Sequence, residues 1–202
     1  MTDRHAPDIA TTEAPMDTAR RAMVDSQLRV SGVTDPDVVA AFLAVAREDF
    51  VPAARRSVAY ADRAVPLDNG TMLAPALAYG QMLMAAAIAK TERVLVIGSP
   101  GAYLAALAGA LGAHVTRCDP QDDLGAGGPY TLVLIDGAIE EVPANLPAAL
   151  ADHGRLVTGW IERGVARLAT GRKVAGQIAL TSVGEADFAL HPAFAARRQW
   201  SF

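Results

Sequence analysis

An α/β fold built on an open, mostly parallel sheet is what the sequence predicts, on three observations. Arg93-Val94-Leu95-Val96-Ile97 is an apolar, β-branched run of strand length, the pattern of a strand buried on both faces. A glycine turn, Gly98-Ser99-Pro100-Gly101, leads into an alanine- and leucine-rich helical segment, Ala102 to Leu111, with Gly112 placed to stop it in a left-handed cap. A second strand, His114 to Cys118, then ends in Asp119. Strand, glycine turn, helix, strand and acid form a nucleotide-binding βαβ unit, and the spacing suits a carboxylate that accepts hydrogen bonds from a ribose. The turn keeps only Gly98 and Gly101 around Pro100, which has no N–H to offer a ligand.

Bulk properties narrow the function classes. With 202 residues and a 51% hydrophobic fraction, the chain suits one globular domain with a real core. A net charge of −4 gives no basic footprint for nucleic acid or an anionic membrane. The lone Cys118 excludes an internal disulfide, fits a reducing compartment and reads as a small buried hydrophobe. The N-terminus lacks the basic-then-apolar order of a signal peptide, and the longest apolar stretch, Met82 to Ala89, is too short to span a bilayer. A cytoplasmic location is expected. His5, His114, His153 and His191 lack ligand spacing, so no metal site is expected.

In chain order, residues 1 to 15 read as a flexible arm before a single domain from 16 to 202. Its part from 16 to 90 is helical, and 91 to 202 carries the sheet. Ala22, Met23 and Leu28 recur at helical spacing from Asp17 until Gly32. Thr34-Asp35-Pro36-Asp37 reads as an N-cap with an early proline, starting a helix through Val45 that Arg47 to Pro52 closes. After Asp119, residues 120 to 129 are rich in Gly, Pro and Asp and make only a loop. Tyr130 to Ile135 is a central strand, and Asp136 at its end either faces a ligand crevice or caps a helix near Ile139-Glu140-Glu141. A short helix from Pro147 to Leu150 ends at Asp152-His153-Gly154, and Arg155 to Trp160 is a strand. Val165 to Thr170 and Gln177 to Ser182, split by Gly171-Arg172-Lys173, read as an antiparallel hairpin. The tail, Ala195 to Phe202, would finish an edge strand or contact a partner.

Several segments carry a family resemblance. Met23 to Leu28, Gly32 to Asp35, Arg47 to Pro52 and Ala59 to Asp62 resemble the N-terminal helical region of protein-L-isoaspartate O-methyltransferases. The resemblance continues through Arg93 to Asp119, Tyr130 to Ile135 and Gly154 to Val157. It implies a class I methyltransferase (Rossmann-like) sheet with an N-terminal helical subdomain and a terminal antiparallel hairpin. It also implies S-adenosylmethionine as cofactor and an isoaspartyl-containing protein or peptide as the partner, methylated on its α-carboxyl during protein repair. Cofactor contacts then fall to Gly98, Ser99, Gly101, Asp119 and Asp136. Thr71 and Leu73 take the substrate side, with Leu73 where the family has a serine that contacts the substrate carboxyl.

Three departures separate this chain from the family pattern. Leu73 and Ala74 have no polar side-chain group for a carboxylate, and Thr71 has the alternative of bonding local backbone. Pro100 and Ala102 replace two glycines of the family loop. The helix–strand–helix that normally follows Asp119, with its adenine-side acid, is missing, and Asp122 or Asp123 would have to substitute. Impaired or lost activity is therefore expected; the alternatives are a non-catalytic interaction module or a binder of another small metabolite. Without the third strand, His114 to Cys118 becomes a sheet edge, expected to be covered by the N-terminal arm, the 120–129 loop or a second subunit in a homodimer.

Overall fold

A computed structural model of the chain describes residues 15–98 and 102–196. The helical part comes first. α1 (Pro15–Met23) continues through a π turn at Val24–Leu28 and a 3-10 turn at Arg29–Ser31, then stops at Gly32, whose φ of 89° lies in the left-handed region. Met23, Val24 and Leu28 are its buried residues, while Ala22, one of the expected contacts, is exposed. α2 (Pro36–Ala44) starts as its sequence dictates. Asp35 Oδ1 accepts from the N–H groups of Asp37 at 2.9 Å and Val38 at 3.0 Å, and Pro36 fills the first turn, where its missing N–H is harmless. Two 3-10 turns, Arg47–Phe50 and Ala53–Val58, lead to β1 (Val65–Pro66) and β2 (Met72–Leu73), a short antiparallel ribbon with Val65 opposite Leu73. α3 (Ala76–Ala86) follows directly.

The sheet is built from β3 (Arg93–Ile97), β4 (His114–Cys118), β5 (Tyr130–Ile139), β6 (Leu150–Glu162), β7 (Val165–Val174) and β8 (Gln177–Glu185), with α4 (Ala102–Ala110) and α5 (Leu146–Ala149) between strands. Its order is β4-β3-β5-β6-β7-β8. β4, β3, β5 and β6 run parallel; β7 and β8 are antiparallel. None of the described helices is long and apolar enough to cross a membrane.

Three expectations need correction. β5 does not end at Ile135, and no helix begins near Ile139. After an irregularity it runs on to pair Ala138 with Gly159 and Ile139 with Trp160, while Leu190 bridges Ala138 from the other side. Partners on both sides keep that backbone extended and satisfied. β6 begins at Leu150, so Asp152-His153-Gly154 lie inside a strand rather than after a helix, with His153 at a φ of 62°. The final hairpin turns at Ala175-Gly176, with φ of 50° and 77°, a two-residue loop whose positive φ values suit the strand twist. Gly171-Arg172-Lys173 instead pair within β7, where a Cβ on Gly171 would sit 2.8 Å from the carbonyl oxygen of Ala179.

The two faces of the sheet are covered differently. Val94, Val96, Leu132, Leu134 and Val157 pack beneath the helical part through Phe42, Tyr79, Met82 and Leu107. On the other face, Leu95, Ile97, Val133 and Ile135 are covered by Leu124, Leu146, Ala149 and Phe194. The 120–129 loop thus turns beneath a face, not along the β4 edge. Among the described residues no strand pairs with the outer side of β4; the N-terminal arm lies outside them.

Candidate functional site at the carboxyl ends of three strands

Gly98 and Asp119 follow the ends of β3 and β4, and Asp136 lies at the irregularity in β5 where its pairing with β3 stops. The three thus reach one edge of the parallel sheet, the edge where open α/β sheets bind ligands. Gly98 N–H donates to the Cys118 carbonyl at 3.2 Å, tying the end of β3 to the end of β4. Its φ is 154°, and a Cβ there would stand 2.8 Å from the Asp136 Cβ. Only glycine fits that approach. Ser99, Pro100 and Gly101 lie outside the described residues.

Asp119 is exposed, and among the described residues no donor is bonded to its carboxylate. Asp122 and Asp123 brace the loop instead: Asp122 Oδ2 accepts from Asp119 N–H at 2.8 Å, and Asp123 Oδ1 from Gly125 N–H at 3.0 Å. Beside this loop lies a cleft of about 740 Å³ lined by Pro120, Glu141, Val142, Pro143, Ala193 and Phe194 among others. The partly buried Cys118 thiol is pushed up to about 11 by burial and by the charges of Asp122 and Asp119, so it stays protonated and is no nucleophile.

Asp136 is partly buried and accepts a hydrogen bond from the Tyr79 hydroxyl at 2.7 Å. Burial pushes its carboxyl up to about 6, while that hydrogen bond and the positive charge of Arg47 pull the other way. Tyr79 is fully buried in α3, and its oxygen also accepts from the Ala74 N–H at 3.3 Å. Arg47 is likewise fully buried. Its Nε donates to the Ala59 carbonyl at 2.7 Å and its Nη2 to the Ala74 carbonyl at 2.6 Å. Its guanidinium lies 5.2 Å from the Tyr103 ring centre and 5.9 Å from that of Tyr79. Arg47 Nη1 and Tyr103 Oη are both buried without a hydrogen-bond partner among the described residues. One cation thus clamps the 59–62 and 71–75 segments together behind the crevice.

The expected substrate-side residues are arranged less favourably. Thr71 donates its hydroxyl to Asn69 Oδ1 at 2.7 Å, and its N–H bonds the same atom at 3.1 Å, the local alternative open to a threonine in a turn. Leu73 is 1% exposed and belongs to the hydrophobic core. The position expected to face a substrate carboxyl is filled by packed hydrocarbon.

A model of the protein-L-isoaspartate(D-aspartate) O-methyltransferase family matches residues 18–118. A protein-L-isoaspartate O-methyltransferase of Koribacter versatilis (strain Ellin345) is 30% identical over 91% of this chain and 93% of its own length. The chain belongs to the protein-L-isoaspartate O-methyltransferase family. A second relative, protein-L-isoaspartate O-methyltransferase 2 of Anaeromyxobacter sp. (strain Fw109-5), is 33% identical over 70% of this chain and 69% of its own length. The fold also resembles that of a Plasmodium falciparum protein assigned to the same activity and crystallised with S-adenosyl-L-homocysteine. The TM-score is 0.71 at 16% identity, covering 90% of this chain and 100% of that one. The architecture is that of a class I, Rossmann-like methyltransferase lacking the third-strand region.

Sequence reasoning missed Tyr79, Arg47 and His191. Tyr79 was detectable as the single hydroxyl-bearing residue in a helix whose other polar side chain is Gln81, and Arg47 as a charge following the apolar run of α2. No local signal marked His191, which reaches the strand ends from 53 residues beyond Ala138.

Proposed function

We propose that the chain binds S-adenosylmethionine across the ends of β3, β4 and β5, and that its transfer of methyl to an isoaspartyl carboxylate is impaired. The observation that carries the first half is the convergence of Gly98, Asp119 and Asp136 at one sheet edge beside a roomy cleft. The donor set fits the cofactor. Asp119 offers an exposed carboxylate for ribose hydroxyls, and the absence of a side chain on Gly98 lets the end of β3 lie directly against Asp136. When bound, S-adenosylmethionine supplies a methyl group on a sulfonium centre.

The second half rests on charge and on missing donors. Near neutral pH Asp136, at about 6, is mostly ionised. Its charge favours a cation in the crevice and opposes an incoming carboxylate. Leu73 and Ala74 are buried and offer no side-chain donor, and the Thr71 hydroxyl is taken by Asn69. Methyl transfer depends chiefly on positioning, so an acceptor held by few contacts reacts slowly.

Calorimetric titration with S-adenosylmethionine and S-adenosylhomocysteine is the direct test. Binding in the micromolar range, lost in Asp119→Ala without a change in melting temperature, supports the cofactor site; no heat at millimolar ligand overturns it. Methylation of an isoaspartyl peptide well below that of a family member with the serine supports the rest, and an equal rate contradicts it.

A further inference from the structure

The segment from 120 to 129 is too short to wall a ligand cleft beyond Asp119, yet the cleft beside Pro120 has a wall, and it comes from the C-terminal segment. Residues 189 to 194 run along the extended end of β5. Ala138 N–H donates to the Ala189 carbonyl at 2.9 Å, His191 N–H to the Ala138 carbonyl at 2.8 Å, and Glu140 N–H to the Phe194 carbonyl at 3.1 Å. Glu140 Oε2 accepts from the Ala196 N–H at 2.6 Å. Gly137, at a φ of 127°, permits the approach, for a Cβ there would lie 3.2 Å from that of His191.

These contacts fix one imidazole at the strand ends. The His191 ring rests against Phe194, centre to centre 5.1 Å, and only 8% of the residue is exposed. Nδ1 accepts from the Ala193 N–H at 3.2 Å, so the neutral ring carries its proton on Nε2. Burial lowers the tendency of the ring to take a second proton, and the Asp119 carboxylate acts on it in the opposite sense, which places the two groups within electrostatic reach. Nε2 is buried and has no hydrogen-bond partner among the described residues. A buried N–H without an acceptor is costly, and native sites rarely keep one without a ligand or water to fill it.

We propose that His191 is a cofactor-binding residue: its Nε2–H donates to a ribose hydroxyl oxygen, the ribose hydroxyls donate to the Asp119 carboxylate, and the cleft between Pro120 and Phe194 receives the base. The C-terminal segment thereby takes over the wall that the missing third-strand region would have built. The assignment rests on the cofactor reading above.

The test is calorimetric titration of the wild type, His191→Gln and His191→Leu with S-adenosylhomocysteine and with its 2′,3′-dideoxy analogue. The leucine variant is expected to bind S-adenosylhomocysteine roughly tenfold more weakly, the glutamine variant within about threefold of the wild type. The analogue should bind wild type and leucine variant alike. Equal affinity of the leucine variant for S-adenosylhomocysteine, or an equal loss with the analogue, overturns the role of His191 and leaves the cofactor site standing. A wild type that binds neither compound overturns both. Long-range ¹⁵N–¹H spectra of the wild-type histidines serve where a variant fails to fold. The His191 Nε2 signal should move on saturation with S-adenosylhomocysteine, and an unmoved signal refutes the contact.

Discussion

Asp136 is the residue whose chemistry departs most from that of a solvated carboxylate, and its consequences are measurable. Burial raises it from an ordinary 3.8 to about 6. The folded state therefore holds this proton more tightly than the unfolded chain does. The resulting stabilisation is fully present below the unfolded value and is lost as pH rises through about 6. Asp136→Asn should flatten the fall in urea-unfolding stability across that range and raise stability at neutral pH, by up to about 3 kcal/mol if the carboxyl were wholly shielded. Identical pH slopes for wild type and variant would contradict the burial argument. Glu48 has the opposite sign. Burial works to raise it, but hydrogen bonds from Tyr60 and Arg20 and the charge of Arg20 outweigh that and hold it below its usual value. Its contribution is present above the unfolded value and is lost as the solution is acidified through the lowered one. Leu73 makes a third residue-scale case. Restoring a serine there removes a packed side chain from the core and buries a hydroxyl, so Leu73→Ser should cost roughly 3 kcal/mol in denaturant unfolding. A cost below about 1 kcal/mol would mean that the site is looser than its burial implies.

At the scale of elements, the β3–α4–β4 unit was legible nearly to the residue. Arg93–Ile97 and His114–Cys118 are the strands the apolar runs predicted, and Gly112 caps at a φ of 90°. Local rules suffice for β3 because it pairs in parallel on both sides and buries Val94 to Ile97, whereas β4, exposed or half-buried along its length, is placed by its parallel pairing with β3. Gly98 joins this unit to Asp136, so Gly98→Ala, which forces a Cβ into that contact in a backbone conformation open chiefly to glycine, should cost roughly 2 kcal/mol and weaken cofactor binding. Retention of both thermal midpoint and affinity would show that the turn can shift. Arg47 ties other elements together. Arg47→Met leaves the carbonyls of Ala59 and Ala74 without their donor in a buried setting, a loss of roughly 3 kcal/mol, with Arg47→Lys recovering part of it. An unchanged denaturation midpoint for the methionine variant would remove Arg47 from the account.

For the whole molecule, asymmetric covering of the sheet is the organising fact. One face lies under helices from β4 to β7; the other is closed by Leu124, the single turn of α5 and Phe194. A ligand seated beside those last two would brace the thinner face. S-adenosylhomocysteine at a hundred times its dissociation constant should therefore raise stability by about 3 kcal/mol, visible as a thermal shift. The β3–α4–β4 unit, the caps at Gly32, Asp35 and Gly112, the family and the candidate carboxylates were written in the sequence, since periodicity, glycine placement and motif spacing are local properties of the chain. Thr71's diversion to Asn69, the burial of Leu73, the Arg47 clamp and the docking of His191 against the end of β5 were decided only by tertiary structure. They depend on contacts between segments far apart in the chain, where burial and hydrogen-bond satisfaction select one partner among many that local sequence leaves equally open.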